Sequence, residues 1–180
     1  MSTIKKHLSQ VSEAMTLLDQ DEVMAAVNVL SIVRKHGGTV YLFGNGGSHA
    51  TASHFANDLM KMGRVRAVCI GDMASAMLAY GNDNGWERMF VDPLVELVKP
   101  VDCVVGISCS GSSRNVLEAL EFASQDGAVM TIGMTGQSLD SEINRIGMNA
   151  LIHANFPDIR VQEDIHLMAC HAIARALQEA

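Results

Sequence analysis

Apolar residues recur at spacings of three and four through the first 36 positions: Leu8, Val11, Met15 and Leu18, then Val23, Val27, Leu30 and Val33. That spacing predicts two amphipathic helices, separated at Asp19-Gln20-Asp21 and stopped by Gly37-Gly38. Each stripe needs a surface to cover it, so 1–36 is expected to be a helical hairpin resting on the remainder, 37–180. From Thr39 the period shortens. Short β-branched and apolar runs at 39–43, 66–70, 102–107, 128–133 and 150–154 predict five strands. Between them lie helical patterns at 49–61, 73–80, a segment ending near Val98, and 115–124, with Asn82-Asp83-Asn84-Gly85 as a turn. A long amphipathic pattern closes the chain at 158–178, with Pro157 where a helix start tolerates proline. Strands alternating with helices imply right-handed crossovers. The expected fold is a three-layer α/β/α sandwich around a five-stranded parallel sheet, one domain over 1–180.

Composition narrows the class. Of 180 residues, 48% are hydrophobic, enough for a substantial core and too many for a disordered chain. No apolar run approaches the roughly 18 residues of a membrane helix, and MSTIKKHLSQ has two lysines with no apolar stretch behind them, unlike a secretory signal. With 13 Lys and Arg against 20 Asp and Glu the formal charge is −7, and without a basic cluster nucleic acid is not an expected partner; with no spanning run, neither is a membrane. Cys69, Cys103, Cys109 and Cys170 are widely spaced in apolar or small-residue segments, as reduced thiols of a cytoplasmic protein would be. Cys109, inside the serine loop, reads as an oxidation-sensitive point or as a small buried residue, and the second is expected.

Two loops have the composition of a ligand site. Gly44-Asn45-Gly46-Gly47-Ser48 follows the first strand, where glycines let backbone approach a ligand closely. Ser108-Cys109-Ser110-Gly111-Ser112-Ser113 follows the third, placing four hydroxyls before a helix N-terminus. Both patterns serve as tight turns and caps; together, after successive sheet strands, they favour a phosphate. Neither contains lysine or the spacing of a P-loop, and GNGGS is not the dinucleotide fingerprint G-x-G-x-x-G.

The second constellation is acidic and imidazole-bearing. His54 and Asp58 are four apart and share a helix face. On the last helix, Glu163 and His166 are three apart. Glu163 and His171 are eight apart, about 80° around the axis. Asp164 and His171, seven apart, also share a face. Such groups move protons near neutral pH or hold a divalent metal, and equally form surface ion pairs or hydrogen-bonded core histidines. Spacing leaves these uses open. Apolar residues on more than one face of the last helix, with the amphipathic hairpin, imply that the chain is not a monomer.

These pieces resemble the sugar isomerase (SIS) domain, and within it the phosphoheptose isomerase group: Gly44 through Ser48, Ser53-His54-Phe55-Ala56-Asn57-Asp58-Leu59, Asn82-Asp83, Ile107 through Ser113, and Glu163-Asp164-Ile165-His166-Leu167 with His171. The resemblance implies reversible aldose–ketose isomerisation of sedoheptulose 7-phosphate by a homotetramer. It implies a phosphate held by Ser108, Ser110 and Ser113 with the loop Gly46-Gly47-Ser48, and sugar contacts from Asn45 and Asp83. Asp58 stands where the family usually has a glutamate base, and His171 where it has the partner acid. His54, Asp58, Glu163 and His171 match positions that hold zinc in some members, and no organic cofactor is implied. Non-catalytic relatives that sense phosphosugars or bind a replication initiator, and isomerases of other sugar phosphates, are the alternatives.

Overall fold

The computed structural model describes residues 2–125, 127, 129–136 and 138–180. Two helices, α1 (Thr3–Thr16) and α2 (Gln20–His36), precede β1 (Thr39–Gly44), α3 (Gly46–Lys61), β2 (Arg66–Cys69), α4 (Ala74–Asp83), α5 (Val91–Leu97), β3 (Cys103–Ser108), α6 (Arg114–Gln125), β4 (Met130–Thr135), β5 (Ala150–His153) and α7 (Ile159–Glu179). The five strands form one parallel sheet in the order β2-β1-β3-β4-β5. The α/β sandwich is therefore the fold. No helix among the described residues is long and apolar enough to cross a membrane.

Strand alternation divides the core. Val40, Leu42, Val105, Ile107, Ile132 and Met134 face α2, α3 and α7. Tyr41, Phe43 and Val104 face the other layer, where Leu117 and Leu120 of α6 pack beside Leu94 of α5. Gly106 lies on this second side, where a Cβ would stand 2.9 Å from Leu120; its absence lets α6 settle onto the sheet. Each fully buried leucine or phenylalanine contributes about 1.5–3 kcal/mol.

The helical hairpin forms where the apolar pattern placed it. Asp19 caps α2 by accepting from the Asp21 amide at 2.8 Å. Gly37 ends it at φ +72°, with Gly38 N–H bonded to the Val33 carbonyl. Ala14 of α1 packs with Ile165 of α7, giving that hairpin its surface.

Several boundaries differ from the expectation. α3 begins at Gly46, three residues early, because Gly46 and Gly47 form its first turn. α4 runs to Asp83, so Asn82-Asp83 is the last turn of a helix and only Asn84-Gly85 follows it. β4 starts at Met130, its amide bonded to the Asp102 carbonyl; Ala128, its expected first residue, lies outside the described residues.

Candidate active site

In the order 2-1-3-4-5 the chain leaves β1 toward β2 and later returns past β1 to add β3, so connections on either side of the β1/β3 pair run in opposite directions. α3 covers one face and α6 the other. In sheets of this kind the ligand crevice lies where they diverge, at the carboxyl ends of β1 and β3. Both unusual loops leave from these two strands. Asn45, the residue before α3, and Asn115, in the first turn of α6, exchange amide hydrogen bonds of 3.0 and 2.9 Å across it. Asn115 is fully buried, and its signal in the sequence was only an amide in the turn after the serines. Asn45, expected to touch sugar hydroxyls, has both ends of its amide engaged by this pair.

The serine loop is a cradle of hydroxyls. Ser108, buried at the end of β3, donates to Ser113 Oγ at 3.1 Å and lies 3.4 Å from Ser110 Oγ; Ser112 Oγ donates to Ser110 at 3.2 Å. Gly111 makes the turn at φ +64°, and a Cβ there would stand 2.8 Å from Thr135 Oγ1. That hydroxyl, beneath the loop, has no partner among the described residues. The Ser113 carbonyl accepts the Leu117 amide at 3.0 Å, so the loop ends at the N-terminus of α6, where first-turn N–H groups favour an anion. The guanidinium of Arg114 turns away to Glu142 at 3.2 Å and Glu118 at 3.7 Å, leaving hydroxyls and amides as the donors. A cleft of about 530 Å³ opens beside Cys109 and Ser110, bounded by Ser138, Asp140 and Gln162.

Across the crevice, Ser48 in the first turn of α3 is buried, its hydroxyl 3.8 Å from the Cys109 thiol. Cys109 is also 3.7 Å from His166 Nδ1. It is buried as expected, and burial pushes its thiol up to about 11. Gly47 has no side chain because the Glu163 carboxylate occupies the place a Cβ would take.

One α3 face and the exposed end of α7 bring three groups together. His54 Nε2 is 3.3 Å from Asp58 Oδ2, and His171 Nε2 is 3.8 Å from the same oxygen. The two imidazole Nε2 atoms are 3.2 Å apart, one ring donating and the other accepting. Asp58 is 7% exposed, whereas the two rings are half exposed. Three ligand atoms lie within 4.8 Å of one another, a set that could hold a metal ion.

Within one chain Glu163 stands apart from the other three residues of the expected quartet. Eight residues from His171, it is about 12 Å away along the α7 axis, and its carboxylate reaches Gly47 instead. Asp164 does not pair with His171; it takes His7 of α1 at 3.1 Å. His166 is core, fully buried and bonded to the Thr135 carbonyl at 2.8 Å. Exposed Asp83 bonds the neighbouring Asn82 amide and makes no hydrogen bond or ion pair with these groups among the described residues.

A parallel sheet with a hydroxyl-and-amide cradle at its switch point and an imidazole–carboxylate cluster beside it defines a SIS domain protein. The SIS domain family matches residues 3–136, and the chain belongs to it. Within that class it belongs with the phosphoheptose isomerases. It is 37% identical over 150 residues to the phosphoheptose isomerase of Trichlorobacter lovleyi, covering 81% of this chain and 75% of that one. It is 32% identical over 184 residues to that of Campylobacter concisus, covering 98% and 94%. The phosphoheptose isomerase structure from Neisseria gonorrhoeae superposes with a TM-score of 0.90 at 26% identity, covering 98% and 97%.

Proposed function

We propose that this chain interconverts sedoheptulose 7-phosphate and D-glycero-D-manno-heptose 7-phosphate through an enediol, in the cytoplasm and as a homotetramer. The observation that carries the reading is the placement of two kinds of chemistry along α3. Ser48 stands by the hydroxyl cradle, and His54, six residues on, is about 9 Å further along the axis. Asp58, the proposed base, lies one turn beyond His54 and is in contact with it, so α3 carries the anion-binding turn and the acid–base groups on one rigid element.

In this reading Ser108, Ser110 and Ser113 receive the phosphate, with Gly46, Gly47, Ser48 and the first turn of α6 supplying backbone approach and amides. The second Nδ2 hydrogen of Asn45, left over from its pairing with Asn115, and the Asp83 carboxylate orient the sugar hydroxyls. The Asp58 carboxylate takes a proton from C1 of the ketose while His171 gives one to the C2 oxygen. Returning the carbon-bound proton to C2, and removing the proton on the C1 oxygen, completes the aldose. His54 holds the pair in position through its contacts with both. The His54, Asp58 and His171 donor set fits a zinc-type divalent ion, which when bound supplies a Lewis acid to polarise a substrate oxygen. Four free, buried thiols suit a reducing compartment.

The test is conversion of sedoheptulose 7-phosphate in deuterated water, followed by NMR with added zinc and with chelator. Aldose phosphate carrying deuterium at C2 is expected. Asp58→Asn and His171→Ala should each lose turnover by at least about 100-fold. Ser110→Ala should raise KM about tenfold with kcat retained, the effect of one charge-assisted hydrogen bond. Full turnover in both of the first two variants, or no conversion by the folded wild type under either metal condition, overturns the reading.

A further inference from the structure

α3 presents a second set of donors on another side. His49 and Ser53 are four residues apart and share a face, whereas His54 is five residues beyond His49, about 140° around the axis. The His49 face meets the end of β2. There the Cys69 thiol lies 3.6 Å from His49 Nδ1, and Asp72, in the single 3₁₀ turn Ile70–Asp72, places Oδ1 3.4 Å from His49 Nε2. Ser53 donates to the other oxygen of Asp72 at 2.7 Å. Gly71, between the two, leaves room for the imidazole, since a Cβ would collide with the His49 ring. None of these side chains belongs to the phosphate cradle or to the Asp58 cluster.

We propose that His49, Cys69 and Asp72 form a second divalent-cation site of zinc type, separate from the one at Asp58. One donor atom from each lies within 4.8 Å of the others. A thiolate, an imidazole and a carboxylate make a donor set suited to zinc and cobalt rather than to magnesium or calcium. Zinc bonds of about 2.3 Å to sulfur and 2.0–2.1 Å to nitrogen, at a tetrahedral angle, separate those atoms by about 3.6 Å, matching the spacing of Cys69 Sγ and His49 Nδ1. That makes Nδ1 the imidazole ligand; the Asp72 carboxylate, in contact with Nε2, turns toward the ion to bind it. Ser53 orients the carboxylate from outside, as second-shell partners do. Cys69 is buried while His49 and Asp72 are partly exposed, which leaves a solvent-facing position for a water ligand. Without metal, burial and then the Asp72 charge push the Cys69 thiol up to about 11, so it is protonated at neutral pH. A cation offsets the Asp72 charge, takes the sulfur as thiolate and releases its proton to solvent. The bound ion ties the edge strand to the first turns of α3.

Cobalt titration of the metal-stripped full chain tests this, because thiolate coordination alone gives a sulfur-to-cobalt charge-transfer band and the Asp58 cluster contains no sulfur. The band is expected in the wild type and in the His54→Ala/His171→Ala double variant. It should be absent in Cys69→Ser, and His49→Gln should weaken cobalt affinity at this band at least tenfold. Melting temperatures measured without metal establish that each variant is folded. No band in the wild type, a band undiminished in Cys69→Ser or His49→Gln, or its loss in the folded double variant overturns the proposal.

Discussion

Glu163 sets a negative charge against the loop that the proposed mechanism uses to seat a phosphate. Its carboxylate rests where Gly47 lacks a side chain. Its charge, behind burial, contributes to the raised pKa of Cys109 between the serines. A phosphate arriving there is repelled, and charges facing each other through partly hydrated protein interact by about 1 kcal/mol. Glu163→Gln keeps the shape and removes the charge. It should lower KM for the sugar phosphate roughly three- to tenfold, with kcat altered less, and the gain should shrink as salt is added. Steady-state kinetics at low and high ionic strength decide this, and an unchanged KM at low salt would mean that the carboxylate does not act on the phosphate. The spacing of Glu163 and His171 allowed a shared cleft, because an 80° offset looks small on a helical wheel, and only the family resemblance made that a shared metal. A wheel discards the axial rise that separates the two side chains. His54 and Asp58, a single turn apart, were readable as a pair for the same reason that Glu163 and His171 were not. Asn115 was hidden because nothing local marks an amide whose partner lies 70 positions away.

At the scale of elements, all five strands were readable from short apolar runs, and the hairpin from its three-and-four spacing. Glycine content hid the start of α3. Gly46, at φ +54°, sits in the left-handed region that glycine enters without strain, so the chain turns sharply from β1 into α3, and Gly47 costs little in a first turn that lacks most of its intrahelical bonds. The joint between α7 and β4 was less readable, since a histidine on an apolar face fits several roles. His166 donates from Nε2 to the Thr135 carbonyl, leaving Nδ1 to accept from the Cys109 thiol, so it ties α7 to β4 and to the serine loop. Burial lowers its pKa to about 4 from the ordinary 6.5. Between those values the unfolded chain holds a proton that the folded chain refuses, so the stability of the neutral ring is present above about 6.5 and lost as pH falls toward 4. The difference approaches about 3 kcal/mol at the acid end. Urea unfolding through this window should show wild-type stability falling more steeply than that of His166→Gln, whose amide can still donate to Thr135 and does not titrate. Parallel pH profiles would exclude His166 as the source.

For the whole molecule, the surface left by α1 bears on whether the site is complete in one chain. At 100° per residue, Ile4, Leu8 and Met15 lie within about 40° of one another, and all three are exposed, Ile4 at 74% and Leu8 at 64%. His7 and Ala14 sit roughly a quarter turn away, on the side that packs against α7. α1 therefore has one apolar face used within the chain and another facing outward, with exposed Met24 and Ile32 on α2 adding to the outward surface. The His54 and His171 rings are also half open to solvent, while an enediol needs shelter from water and a fixed proton donor. Both observations favour assembly: one gives a reason for chains to associate, the other a reason for activity to depend on it. Ile4→Glu/Leu8→Glu places two charges on the outward face without touching the core. Sedimentation should show the wild type as a tetramer and the double variant as a smaller species. Circular dichroism and melting should report a folded chain in both, and turnover should fall at least about tenfold in the variant. Full activity from a dissociated variant would locate the whole site within one chain. An intact tetramer would instead remove this face of α1 from the interface.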